Sequence, residues 1–233
     1  MPLSYLYSSK CNSMASVIRT YALVSMLFIL SMTVYGQVRL NEATLSYQIA
    51  IQNPDGGAMG SATLTVYVKG NLSRTDMVSS LGKESAIFDQ KQGKGVILKE
   101  YSGQKLMITM TQENWNKKNQ VFHDLMFTSS AKPEQAIAGF QCRSAEARTK
   151  DGKLVTVCFL PDKQLNNTQY NNAFSHLGGI PVQYELESGK LTFRYTLNTL
   201  SDDPVPAALF EFPKTGYRVM NFEESQQLKK IGN

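Results

Sequence analysis

Two histidines and three cysteines are the residues of this sequence best suited to chemistry, and their spacing limits what chemistry is open to them. A serine or cysteine nucleophile needs a base beside it, and that base would have to be His123 or His176. Neither stands in a recognisable motif, for the chain has no G-x-S-x-G elbow, H-E-x-x-H helix, phosphate-binding loop or dinucleotide fingerprint. His123 precedes Asp124 as a general base would precede its orienting acid, but a solvated histidine at a strand end is the commoner origin of such a pair. Cys142, Cys158, His123 and His176 are zinc-ligand types at spacings that fit no zinc template. Asp202-Asp203-Pro204-Val205-Pro206 reads as an extended connection, because calcium takes about six or more oxygens and this segment offers two adjacent acids. Nothing selects a carboxylate pair for glycoside hydrolysis. The expectation is a protein that is not an enzyme and carries no cofactor or metal.

The cysteines point instead to a compartment. Arg19 is followed by an apolar run from Ala22 to Val34 with no charge until Arg39, a basic segment ahead of a hydrophobic one. Val34-Tyr35-Gly36 then supplies small residues where signal peptidase needs them, so cleavage is expected between Gly36 and Gln37. An uncleaved anchor is the competing possibility, since the uncharged stretch nearly reaches the ~20 residues that span a bilayer. Ser25, Ser31 and Thr33 favour the signal peptide; no cysteine follows the apolar run, as a lipoprotein would need, and Met14 is a second possible start. Residues 1–36 are thus read as a leader and 37–233 as one domain, periplasmic or secreted, touching a membrane only during export.

Cys11 falls in the leader, which leaves Cys142 and Cys158. In an oxidising compartment two cysteines suggest one bridge, with two buried thiols as the alternative. A two-residue turn at Asp151-Gly152 would set Cys158 opposite Ala145, so a bridge requires a bulge or a longer loop. Without Lys10 and Arg19 the basic residues barely exceed the 19 acids. Their densest group, Lys91, Lys94 and Lys99, sits among turn residues as a solvated surface would, so no nucleic-acid partner is expected.

The elements that must position these residues are mostly strands. Val182–Glu187 and Lys190–Leu197 flank Ser188-Gly189, pairing Leu186 with Leu191, Tyr184 with Phe193 and Val182 with Tyr195 on one dry face. Around Ser102-Gly103, Ile97 meets Ile108 and Leu98 meets Met107; both faces are apolar there, which predicts a central strand pair. Thr44–Gln52 and the strand holding Leu64, Val66 and Val68 pair across Asn53-Pro-Asp-Gly-Gly. Thr111 caps a short helix through Trp115 to Lys118, Asn221 caps another from Phe222 to Lys230, and 164–177 is a third candidate. Trp115, the one tryptophan, is expected to plug one end of the sheet. The fold class is mainly β (α+β): a curved antiparallel sheet or half-barrel of eight to eleven strands, as a rough count, with a few short helices.

Two stretches resemble a family. Ile137-Ala-Gly139-Phe140-Gln-Cys142-Arg-Ser-Ala145 is similar to an I-x-G-[YF]-x-C-x-x-A strand, and Leu177-Gly-Gly179-Ile180-Pro181-Val-Gln-Tyr-Glu to a Gly-Leu-Pro segment followed by an acidic, aromatic strand. Ser73-Arg74-Thr75-Asp76-Met77 before them and Phe212-Pro213-Lys-Thr-Gly216-Tyr217 after them extend the likeness over most of the chain. The family is the GLPGLI type of Bacteroidetes secreted proteins of unknown function, related in outline to the lipoprotein-localisation (LolA/LolB-like) half-barrels. Cys158 has no counterpart in it. The resemblance implies a curved sheet wrapped over helices, sometimes enclosing an apolar cavity, and supplies no activity.

A concave apolar face that helices do not fill becomes a ligand pocket. The inward candidates are Leu64, Val66, Val68, Leu106, Ile108, Leu191, Phe193 and Tyr195, expected to hold a lipid or acyl chain. The alternative is a solid core and an envelope structural or protein-interaction module working through its outer surface, its protein partner unknown.

Overall fold

The computed structural model describes residues 36–120 and 125–231. The leader through residue 35, and His123 with Asp124, lie outside the described residues. From Gln37 onward the chain forms one compact unit. Its strands are β1 (Val38–Leu40), β2 (Glu42–Gln52), β3 (Ala58–Lys69), β4 (Leu72–Ser79), β5 (Gly82–Asp89), β6 (Lys94–Tyr101) and β7 (Gln104–Thr111). They continue as β8 (Thr128–Ser129), β9 (Gln135–Ile137), β10 (Phe140–Arg148), β11 (Leu154–Leu160), β12 (Lys163–Leu165), β13 (Ile180–Ser188), β14 (Leu191–Ser201) and β15 (Arg218–Asn221). Helix α1 is Gln112–Lys118 and α2 is Phe222–Ile231.

Among the described residues, thirteen strands make one sheet in the order β15-β7-β6-β5-β4-β3-β2-β14-β13-β11-β10-β8, with β9 also on β10, while β1 and β12 pair separately in parallel. The architecture is the expected mainly β one, a large curved open sheet with two α-helices among the described residues. It has more strands than expected because β8, β9 and β15 span two, three and four residues, too few for a period to register.

Strict alternation in β2 buries Ala43, Leu45, Tyr47 and Ile49, and the register carries that face across the sheet in rows. The first row, Ala43-Val68-Ser73-Phe88-Gly95-Met110, and the second, Leu45-Val66-Thr75-Ala86-Ile97-Ile108-Met220, are buried apart from half-buried Thr75. Helices close over these rows. Trp115 of α1 stacks on Phe88 at 4.5 Å between ring centroids and donates its Nε1–H to the Gln169 carbonyl at 3.2 Å, so the tryptophan is a core piece. Thr111 caps α1 in a reciprocal box with Asn114, and Asn221 caps α2 in another with Glu224.

The β6–β7 pairing, Ile97 with Ile108 and Leu98 with Met107, is as the sequence predicts. Its place is not central, for these strands lie near one end of the sheet. Both faces are apolar there because the helices cover one and residues 202–217 cover the other. That segment packs Val205 and Phe210 on Ile87, Val96 and Leu98. The β13–β14 hairpin also departs from expectation: Ser188 pairs with Leu191, Leu186 with Phe193 and Tyr184 with Tyr195. Gly189 (φ 61°) takes the first central position of the turn, where a positive φ favours glycine, and this slides the register by two residues and keeps the same face. Residues 164–177 form no α-helix; Asn167 Oδ1 accepts the Gln169 amide at 3.0 Å, a local bond that competes with helix, and only Asn172–Phe174 makes a 3-10 turn.

Two hairpin turns hold non-glycine residues at positive φ, Ser102 (φ 50°) before Gly103 and Ala138 (φ 49°) before Gly139. Both are exposed, and asparagine tolerates this backbone better than serine or alanine. Ser102→Asn and Ala138→Asn should each stabilise the protein by about 0.5 kcal/mol. Urea midpoints that fall for both variants would refute this.

Candidate ligand face

Below the two packed rows the same sheet face changes character. The third row reads Leu197-Tyr47-Leu64-Met77-Glu84-Lys99-Leu106, and from Leu64 to Leu106 every member is half-buried. The next runs Tyr184-Tyr195-Ile49-Ala62-Ser79-Gly82-Tyr101, and a last one Leu186-Phe193-Ile51. Tyr195 stacks flat on Tyr184 at 4.6 Å, which is wedged against Phe174 at the same distance and fixed by Asn171 Nδ2 at 3.3 Å. Burial pushes the phenols of Tyr47 and Tyr184 well up from their usual value, so these rings stay neutral.

The eight inward candidates thus divide. Val66, Val68 and Ile108 belong to the filled core. Leu64, Leu106, Leu191, Phe193 and Tyr195 are half-buried on the lower rows of the same face. Three participants were missed from sequence: Met77, Glu84 and Tyr101, each of which joins the face only once its strand partner is known. Lys99 was expected on a solvated surface with Lys91 and Lys94. It points instead into the third row, paired with Glu84 at 2.8 Å, its side chain 24% exposed.

His176 is exposed, and among the described residues no group of three or more His, Cys, Asp or Glu gathers as metal ligands would. Cys142 and Cys158 form a disulfide with a Cα–Cα distance of 5.5 Å. The connection is a longer loop, because Arg148 pairs with Leu154 and Cys158 therefore faces Ser144, on Cys142's side of the sheet. Gln135 of β9 covers the bridge, its amide 3.3 Å from the Cys158 sulfur.

The remaining motif residues are structural. A Cβ on Gly179 would meet the Leu160 carbonyl at 2.2 Å and the Phe159 ring at 2.4 Å, so only glycine lets these strands close. Pro181, two positions further on in β13, accepts the buried Tyr47 hydroxyl on its carbonyl at 2.9 Å. Arg74 grips Asp76 through Nε at 2.8 Å and Nη2 at 3.1 Å, and reaches the Leu209 carbonyl of the 202–217 strap through Nη1 at 2.6 Å. Tyr217 closes the strap by donating to Glu100 at 2.5 Å; burial and that carboxylate push its pKa up to about 12.

Burial would raise the Asp76 carboxyl, but hydrogen bonds from Arg74 and Ser85, with the charges of Arg74 and Lys83, outweigh it and hold the pKa below the ordinary range. This contribution is therefore present above the unfolded carboxylate value near ~3.9 and lost as pH falls through the lower folded one. Asp76→Asn should destabilise by about 2 kcal/mol at neutral pH, and its gap from the parent should narrow below about pH 4. Urea titrations at several pH values that give a constant gap would contradict the assignment.

No family model and no curated protein matches the chain. Among solved structures it is similar to an uncharacterised conserved protein of Thermus thermophilus, at TM-score 0.44 and 11% identity over 76% of this chain and 90% of that one. It is also similar to PNGF-II, at TM-score 0.45 and 8% identity over 81% of this chain, which spans 33% of that protein. The Pseudomonas aeruginosa MucA/MucB complex is a third, at TM-score 0.37 and 11% identity, covering 74% of this chain and 56% of that one.

Proposed function

We propose that this chain is an exported, non-enzymatic binding protein that holds an apolar ligand, a lipid or acyl chain, against the lower rows of its concave face. The carrying observation is a change along the face: helices and loops bury the first two rows, while in the lower rows Leu64, Met77, Leu106, Phe193 and Tyr195 stay half-buried beside the buried Tyr47, Ile49 and Ala62. Half-exposed apolar side chains gathered on one sheet face are what a ligand face requires. The motif resemblance to Bacteroidetes secreted proteins goes with this reading. Export is supported by the start of the compact unit at Gln37, whose side chain bonds the Pro161 carbonyl at 3.0 Å, directly after the expected cleavage point.

Protein recovered from a Gram-negative periplasm should begin at Gln37, and N-terminal sequencing that finds the leader intact would refute export. Native mass spectrometry of the same material should show bound lipid. Phe193→Glu should cut the bound fraction at least about fivefold while leaving circular dichroism unchanged. Lipid-free parent protein that also fails to bind an added apolar dye would sink the ligand reading.

A further inference from the structure

The third row of the concave face carries an ion pair where the rest of the row is apolar. Glu84 of β5 and Lys99 of β6 are register partners, 2.8 Å apart, with side chains 23% and 24% exposed. Met77 lies beside Glu84 and Leu106 beside Lys99, while Ala86 and Ile97 of the packed core lie directly above. Tyr101 lies diagonal to Glu84 on the same face. An apolar pair of similar volume would serve the sheet at least as well, because partial burial removes water from both charges and their mutual attraction only roughly restores what is lost. Stability alone therefore does not account for the pair.

We propose, resting on the ligand reading above, that the Glu84–Lys99 pair selects the head of the bound molecule and that the ligand is a zwitterionic amphiphile, a long chain whose head carries one anionic and one cationic group. The pair is neutral as a unit but strongly dipolar. A head with both charges sets its anion on Lys99 and its cation on Glu84, so all four charges are matched. A purely anionic head would meet Lys99 only by crowding Glu84, and a purely cationic head the reverse. From the pair the half-buried apolar side chains extend furthest through Met77, Leu64, Tyr195 and Leu186, passing over the fully buried Ile49. Those five strand steps cover about 24 Å, the reach of a long acyl chain.

The test compares three probes with one alkyl chain, hexadecylphosphocholine, palmitate and hexadecyltrimethylammonium, each below its micellar concentration, titrated calorimetrically into protein recovered from the periplasm and stripped of bound lipid. The phosphocholine should bind about tenfold tighter than either singly charged probe. Glu84→Gln should shift the preference to palmitate and Lys99→Gln to the trimethylammonium compound. The double variant Glu84→Leu/Lys99→Leu should bind all three alike. Equal affinity of the parent for the three probes, or a preference for a singly charged head, overturns the head assignment and leaves the apolar face standing. Failure of all three to bind overturns the ligand reading itself. The parent's ranking decides even if a variant does not fold.

Discussion

Phe88→Ala should lower the unfolding free energy by about 3–5 kcal/mol, the largest loss expected from any single truncation in this sheet. Phe88 is fully buried in the first row, its ring lies across Gly95 of β6, and Trp115 stacks on its other side. Truncation removes the ring's own burial and leaves the α1 tryptophan facing a void. The same geometry explains the glycine: a Cβ at position 95 would stand 2.6 Å from the Phe88 ring and 2.4 Å from the Ile87 carbonyl. Gly95→Ala should therefore be strongly destabilising too, and the double variant less destabilised than the sum, because losing the ring relieves one clash and not the other. Urea denaturation of the four proteins checks this. Strict additivity would mean that ring and glycine do not share one space.

Loss of the Cys142–Cys158 bridge should come next, at about 3 kcal/mol, since it closes a loop with a sequence separation of 16 residues in the unfolded chain. The paired change Cys142→Ala/Cys158→Ala should lower the melting temperature by roughly 6–12 °C. Dithiothreitol should do the same to the parent and nothing to the variant. The effect should be local as well as global, because the bridge ties the start of β10 to β11 at the irregularity between Cys158 and Phe159. Amide exchange in β9, whose strand pairing is with β10, should accelerate more than in β2 or β3. Uniform acceleration, or a parent indifferent to reductant, would contradict the role assigned to the bond.

Much of the fold was legible because three hairpins are marked by their turn residues. The β6–β7 pairing could be read to the residue, since Ser102-Gly103 leaves one way to close. The β13–β14 turn misled by two positions because Ser188-Gly189 and Gly189-Lys190 both offer a plausible turn dipeptide, and the choice rests on which residue takes the positive φ. The two-faced apolar pattern of β6 and β7 was real, but its cause, a strap from distant residues 202–217, leaves no local signature. The proposed ligand face was visible as alternation in β3 and β14 and invisible in β4 and β5, where Met77 and Glu84 join it only through strand pairing. Lys99 shows the same limit: beside Lys91 and Lys94 it looks like a surface charge, and its partner comes from the neighbouring strand.

The strand order bears on how the chain reaches this state. Strands β2 to β7 form an unbroken meander, yet its two outer edges are covered by β14 and β15, both near the C-terminus. A polypeptide delivered N-terminus first presents six paired strands with two bare rims before either cover arrives. Contacts so distant in sequence close slowly, and open rims recruit strands from other molecules in the meantime. Refolding should be slow and concentration-sensitive, and the newly delivered chain should depend on holding factors until its last strand is in place.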